Sequence, residues 1–463
     1  MKEIRTSGTW NIAGQRGIYQ GELDINRMEG AIRLTVTVPE GQLEGVVEGR
    51  RISMIQGDLM SGWSVTLVDS EIRRIQEQRF DEVRLDIFSK IAVLGDHFDT
   101  LGELQFKNYR FRLSNAVDWA DLCKFTQEVE KESKERVPFV WQRRESIRIE
   151  ANSDLEIAIT PVLDESQMDY FARDISLKQD VDIDFYYKED TSLEKCIEDV
   201  KAIKYLISLA IKQDIWIERM HYLDSDDEGE GRPISRGEVI LARRQGLEES
   251  INRYDPFFFL TSLKKENFYQ WFDKFEKLKP IMDLYLATVK NVEMPIEIQF
   301  LSIVQALEVY HSRFVTNERV EYRDRVRALF DTLSDQIRPI FEAAFMDKEI
   351  KRANRILLKS RLNDLMYLQR GKMEFYNFCD EKYPFDFVDM VVNTRHYLTH
   401  YGDERKDSAV HGVKLRITCD ILLLVLAFHL LKELGMAEDV YVLDKLNERQ
   451  EAIWRQYREV VGE

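Results

Sequence analysis

The chain has 463 residues, of which 44% are hydrophobic and 32% charged, and its formal net charge is −17. That length allows two or three domains, each with a core of its own, and the composition is that of a soluble globular protein. The longest apolar run, Ile421 to Leu431, contains His429 and is about half a membrane span, so no membrane association is expected.

The N-terminus, MKEIRTSGTW, has no apolar stretch of the kind a signal peptide needs. Cys123, Cys196, Cys379 and Cys419 are scattered without a C-x-x-C pair, which argues against a zinc ribbon or a disulfide framework and suits a reducing cytoplasm. The charge is unevenly spread. Residues 251–463 hold 32 Lys+Arg against 34 Asp+Glu, whereas residues 1–250 hold 34 against 49. The acidic first half should repel polyphosphate, so any contact with a polyanion is expected in the second half, through local basic clusters.

The first ~190 residues alternate polar and apolar in short runs, the pattern of half-buried strands. Ile32, Leu34, Val36 and Val38 form one such run; Trp63, Val65 and Leu67, then Val83, Leu85 and Ile87, then Tyr109, Phe111 and Leu113 form others. A mainly-β sandwich or barrel is expected over residues 1–190. Ser192 opens a helical pattern carried by Leu193, Ile197, Val200, Ile203, Ile207 and Ile211. A strand-like run, Ile215 to Ile217, and the acidic loop DSDDEGEGRP from Asp224 to Pro233 follow. The loop reads as a solvated linker or as a dock for a basic partner, and residues 191–253 as a connecting region.

From Tyr254 the periodicity is helical, which makes 254–463 an α-helical domain and the whole an α+β multidomain protein. Pro256, Pro280, Pro295, Pro339 and Pro384 fall where helices are expected to begin or break. Ile296, Phe300, Ile303, Val304, Leu307 and Tyr310 form one apolar stripe. Ile417, Ile421, Leu424, Val425, Phe428 and Leu431 form another, apolar nearly all round, which belongs in a bundle centre or a dimer interface. Lys351, Arg352, Arg355, Lys359 and Arg361 form a basic cluster with no acid between them, read as an RNA-binding surface or a solvated helix face.

The most informative segment is NTRHYLTHYG, Asn393 to Gly402. Asp386 can cap the N-terminus of its helix, with Asp389 three residues on, and Gly402 sits where a C′ residue would end it. Arg395 and His400 supply a phosphate-binding guanidinium and a proton-transfer imidazole, the two groups that metal-free RNA cleavage needs. Five residues apart, they lie about 140° apart around a helix and converge only at a loosened end. His396 and His400 share a face, which is two-His zinc geometry, but the Glu of H-E-x-x-H is missing and a third ligand would have to come from His411 or Asp403. Alternatively, His400 complements the helix dipole while Arg395 pairs with Asp389 or Glu308. His411 and Lys414, just beyond the helix, favour the catalytic reading.

RHYLTH resembles the R-[NDH]-x-x-x-H signature of HEPN domains, and FLSIVQALEVYHSRF, residues 300–314, looks like the earlier core helix of that bundle. GTWNIAGQRGIYQGELDI, residues 8–25, followed by AIRLTVTVPE, resembles the β domain of ApeA-type HEPN proteins. The resemblance implies an abortive-infection endoribonuclease, restrained or guided by its β domain, acting without cofactor or metal. Arg395 and His400 would be catalytic, with His396, Asn393 and His411 supporting. It further implies a homodimer through the helical domain that forms a composite RNA cleft, 2′,3′-cyclic phosphate and 5′-hydroxyl products, and a phage protein as trigger. A non-catalytic dimerisation module is the main rival reading.

Overall fold

The computed structural model describes residues 3–461 apart from 14–16, 28, 40–46, 78–81, 128–138, 170–173, 224–234, 244–255, 291–293, 316–330, 333, 342–356 and 370–386. The described residues divide into two compact units, 1–211 with 215–272, and 212–214 with 273–463.

The first unit is β-rich, as the alternation predicts. Its first six strands are β1 (Glu3–Ile12), β2 (Tyr19–Asn26), β3 (Ala31–Pro39), β4 (Arg51–Leu59), β5 (Ser64–Glu77) and β6 (Glu82–Leu94). All pair antiparallel in the order β3-β2-β1-β4-β5-β6, and β6 returns to β3, so the six close into a barrel. Closure removes the free edges that an open sheet would carry. In β3 the residues Ile32, Leu34, Val36 and Val38 point inward and are buried, while Arg33 and Thr37 are exposed.

Trp10 fills the barrel interior and is fully buried. Its indole lies against Gly57 of β4 and Gly21 of β2; a Cβ at Gly57 would come within 2.4 Å of the ring and one at Gly21 within 2.9 Å. Trp10 and Gly21 of the GTWNIAGQRGIYQGELDI stretch are therefore a packing requirement. Trp63, expected inside a strand, stands in the turn before β5 and is 52% exposed. The turn residue Gly62 takes a φ of +86° beside it.

At its C-terminal end β6 keeps β5 on one side and on the other exchanges β3 for a second run of strands. These are β7 (Gln105–Leu113), β8 (Cys123–Gln127), β9 (Phe139–Arg143), β10 (Ile147–Glu150), β11 (Leu155–Asp169), β12 (Asp174–Ser192), β13 (Ile217–Leu223) and β14 (Ser235–Leu241). From β6 the order is β14-β13-β7-β12-β11-β10, with β8 and β9 forming a separate hairpin. On one face Arg110 and Arg112 of β7 pair with Asp184 and Asp182 of β12, each at 2.7 Å. Two helices accompany these strands, α1 (Ala116–Ala120) and α2 (Leu193–Ile211), and α2 buries Leu193, Val200, Ile203, Ile207 and Ile211. The stretch 191–253 thus contributes α2, β13 and β14 to the first unit, and its acidic loop lies outside the described residues.

The second unit is helical, with α3 (Lys265–Lys290, whose first turns belong to the first unit), α4 (Ile296–Phe314), the short α5 (Arg338–Phe341), α6 (Leu358–Gln369), α7 (Phe387–His400), α8 (Gly412–Glu433) and α9 (Val440–Val461). Pro295 introduces α4 as expected, whereas Pro280 does not end a helix: it lies inside α3. Its missing N–H frees the Glu276 carbonyl. Arg313 of α4 fills the gap, its Nη1 donating to Glu276 O at 3.2 Å and Lys277 O at 2.9 Å. Pro384 lies outside the described residues.

The apolar helix α8 takes the bundle-centre position. Ile417, Ile421, Leu424, Val425, Phe428 and Leu431 are all buried within the single chain. Its stripe therefore leaves no apolar patch for a second copy to cover, and a dimer cannot rest on it. No helix is long and apolar enough to cross a membrane among the described residues.

Candidate functional site

The site is built on α7. Phe387, Val388, Val391, Thr394 and Leu398 form its buried face. Thr394 also pins the chain that follows: its Oγ1 donates to Met390 O and accepts the Val410 N–H at 3.0 Å. Asn393 accepts from Arg405 Nη1 at 3.1 Å, which fixes the short 3-10 segment Asp403–Ser408 against the helix. Asn393 therefore holds the loop beyond the helix.

The helix end differs from expectation. Tyr401, at φ +51°, takes the left-handed position, and its N–H donates to Tyr397 O, while Gly402 is extended at φ −75°. The tethers from Thr394 and Asn393 return the chain one residue earlier than the glycine would. Asp386 lies outside the described residues, and Asp389 pairs with Lys359 of α6 at 2.6 Å. Lys359, expected in a basic RNA surface, is thus engaged in holding α6 to α7.

Arg395 and His400 occupy different faces of α7. His396 and His400 are both exposed, with ring centroids 4.8 Å apart, as their four-residue spacing predicts. Arg395 points instead into an open groove of about 620 Å³ between α4, α6 and α7, where its Nη2 donates to Glu308 at 2.8 Å. Arg313, Arg361, Ser312 and Thr399 also line the groove. Arg361 Nη1 donates to Glu308 O at 2.9 Å. His400 is not a lining residue, and Thr399 lies between it and the groove.

Two buried histidines set the position of Arg361. His311 of α4 bonds Asp364 at 2.9 Å and His429 of α8 bonds the Leu365 carbonyl at 3.1 Å, so α6 is gripped from both sides. Burial pushes His429 down to about 3, which keeps it neutral. Deeper still, Tyr310 and Lys274 both bond Glu433, at 2.7 and 3.0 Å.

His411 stands at the N-cap of α8, its ring edge-on to Tyr397 at 5.3 Å. Among the described residues no group of three or more His, Cys, Asp or Glu is placed to hold a metal, so the zinc reading lacks its third ligand there. The Asp403 side chain and Lys351, Arg352 and Arg355 lie outside the described residues.

The arrangement gathers three arginines in one groove and leaves an imidazole-bearing helix end exposed on another face of α7. Residues 5–275 match the family described as ApeA N-terminal domain 1, and residues 301–440 match Apea-like HEPN. The chain belongs to the ApeA-type HEPN proteins. Comparison with the curated proteins and with the solved structures finds no match.

The HEPN match takes in α4 from residue 301 onward, all of α6, α7 and α8, and every residue that lines the groove; the ApeA N-terminal match runs from β1 through β14 into α3. This is accordingly a HEPN-type abortive-infection defence protein. In this ApeA-type chain the groove gathers Arg395 and Arg361, which the sequence singled out, with Arg313, which it did not. Its signal was indirect: a proline inside a helix needs a foreign donor, and an Arg at the end of the adjoining helix can supply one.

Proposed function

We propose that the chain is a metal-independent endoribonuclease, in which Arg395 and His400 carry the reaction and the N-terminal β domain controls it. The observation that carries this reading is the groove beside α7, where Arg313, Arg361 and Arg395 present three guanidinia along a concave surface of about 620 Å³. Guanidinia bind phosphate oxygens in a planar fork and stabilise the extra charge of a phosphorane. The exposed imidazole of His400, one turn further along, takes the 2′-hydroxyl proton or returns one to the 5′-oxygen leaving group. Internal attack of the 2′-oxygen leaves a 2′,3′-cyclic phosphate and a 5′-hydroxyl, and no metal is needed.

Since Arg395 and His400 face different ways around α7, RNA must pass across the helix end, over Thr399, or a second copy must bring its own helix alongside. The exposed His396 and His400 pair fits the second arrangement, a homodimer through the helical domain. His396 and His411 are supporting groups, and Lys351, Arg352 and Arg355 extend the RNA-binding surface. The protein acts in the cytoplasm. The first unit, to which 191–253 contributes α2, β13 and β14, forms the sensor and the helical second unit the nuclease, and a phage protein is the trigger.

The test is cleavage of cellular RNA by the purified full chain in the presence of chelator, with the new ends identified chemically. Wild-type protein should yield 5′-hydroxyl ends, and His400→Ala should be slower by about 10²- to 10⁴-fold with its circular dichroism unchanged. Equal rates for the two proteins, or activity that returns only with Zn²⁺, would refute the assignment. A folded, dimeric protein without cleavage under any condition would favour the non-catalytic module.

A further inference from the structure

The first unit holds a second concave site, unrelated to α7. It is a pocket of about 630 Å³ where the start of β1, the turn between β4 and β5, and the β13–β14 hairpin meet. Three observations bear on what it takes.

The first is charge. In the acidic half of the chain this pocket is lined by four arginines, Arg5, Arg27, Arg219 and Arg236, and by one acid, Glu238. Glu238 is committed to Arg27 at 2.6 Å. Arg5 and Arg236 lean on Glu22 and Asp96 and remain 68% and 52% exposed, and Arg219 makes no ion pair among the described residues. The pocket therefore attracts carboxylates or phosphates.

The second is apolar exposure. Trp63 lines the pocket half-exposed, and Met60, in the same turn, is 84% exposed.

The third is a free strand edge. β1 pairs with β2 along Glu3–Trp10, but its register with β4 begins only at Gly8. Beyond it Ser7 O accepts the Met60 N–H, and the β4-side backbone groups of Glu3 and Arg5 have no strand beside them among the described residues. Such an edge offers the alternating donors and acceptors that an added strand requires.

We infer that this pocket binds an extended acidic peptide, which continues the sheet along the free edge of β1 while its carboxylates meet Arg5, Arg219 and Arg236 and an apolar side chain meets Trp63. A nucleic-acid strand would also meet the arginines. It has no backbone N–H and C=O to pair with a strand edge, and beyond the pocket it would run over an acidic surface. The inference does not depend on the ribonuclease reading, because its test reads binding alone.

The test uses the immobilised full chain and an array of random nonapeptides. Bound sequences should be enriched in Asp and Glu with an aliphatic or aromatic residue nearby. A synthesised winner, titrated by fluorescence polarisation, should lose at least tenfold in affinity against Arg219→Glu and against Trp63→Ala. Both side chains are exposed, so circular dichroism should be unchanged. N-methylation at alternate backbone nitrogens of the peptide should abolish binding in one of the two phases. The inference is overturned by winners without acidic enrichment, by affinities indifferent to both substitutions, by indifference to N-methylation in both phases, or by a short RNA that outcompetes the peptide at these residues.

Discussion

Arg395 reaches across the groove from α7 to the Glu308 carboxylate of α4, 2.8 Å away, so the guanidinium best placed for a phosphate already holds an anion. Its side chain is 40% exposed, which leaves room for exchange with solvent and ligand. On the proposed reading, an RNA phosphate entering the groove would compete with Glu308 for Arg395.

Replacing Glu308 by Gln keeps a hydrogen-bond acceptor and removes the charge. Binding of a non-cleavable 2′-O-methyl RNA should tighten by roughly 3- to 10-fold at low salt, with a steeper dependence on salt concentration. Fluorescence polarisation across a salt series measures both quantities. Unchanged affinity and slope would mean that the groove is not where the phosphates lie.

The Arg313 bridge to Glu276 and Lys277 exists because Pro280 cannot donate. Arg313→Ala should lower stability by about 1 kcal/mol, the worth of a solvent-accessible charge-assisted hydrogen bond. In a Pro280→Ala background, where the helix regains its own donor, the same substitution should cost less. Thermal unfolding of the four proteins gives the coupling.

His429 ties stability to pH. Its folded value, near 3, lies below the ordinary 6.5, so the unfolded chain takes up the proton first. Stability from this group is constant above pH 6.5 and falls as the pH drops from 6.5 towards 3, by up to about 1.4 kcal/mol per pH unit. His429→Gln, which can still donate to Leu365 O, should flatten that part of the profile. Unfolding midpoints measured between pH 4 and 7.5 decide it, and parallel profiles would count against the buried neutral imidazole.

Gly57→Ala should damage the barrel, because the added carbon meets the Trp10 ring at 2.4 Å. Overpacking of this kind costs about 1–3 kcal/mol. The melting transition of the β-rich unit should move down and the near-ultraviolet signal of Trp10 should change, whereas a neutral result would require the indole to have another place to go.

Much of this was legible in the sequence because it depends on local periodicity. Strands such as β3 and β7 and the face of α7 follow from which residues alternate or recur. Closure of the barrel was not legible, since the β3–β6 pairing joins residues ~50 apart and no residue pattern encodes the partner. For α8 the sequence allowed a bundle centre or an interface, and only the packing of the neighbouring helices decides between them. Tyr401 in place of Gly402 at the helix end reflects tethers from Asn393 and Thr394, whose partners lie more than ten residues on. The pairing of Arg395 was foreseeable as a choice between Asp389 and Glu308, and it was settled by Lys359, which takes Asp389 for itself.

β6 belongs to the closed barrel through β3 and to the open sheet through β14, with β5 along nearly its whole length. A strand shared in this way cannot leave one sheet without disturbing the other. Loss of order in either half of the N-terminal unit should therefore spread to both, making them one cooperative folding unit. A disturbance at the β14 edge would be felt inside the barrel through β6 itself.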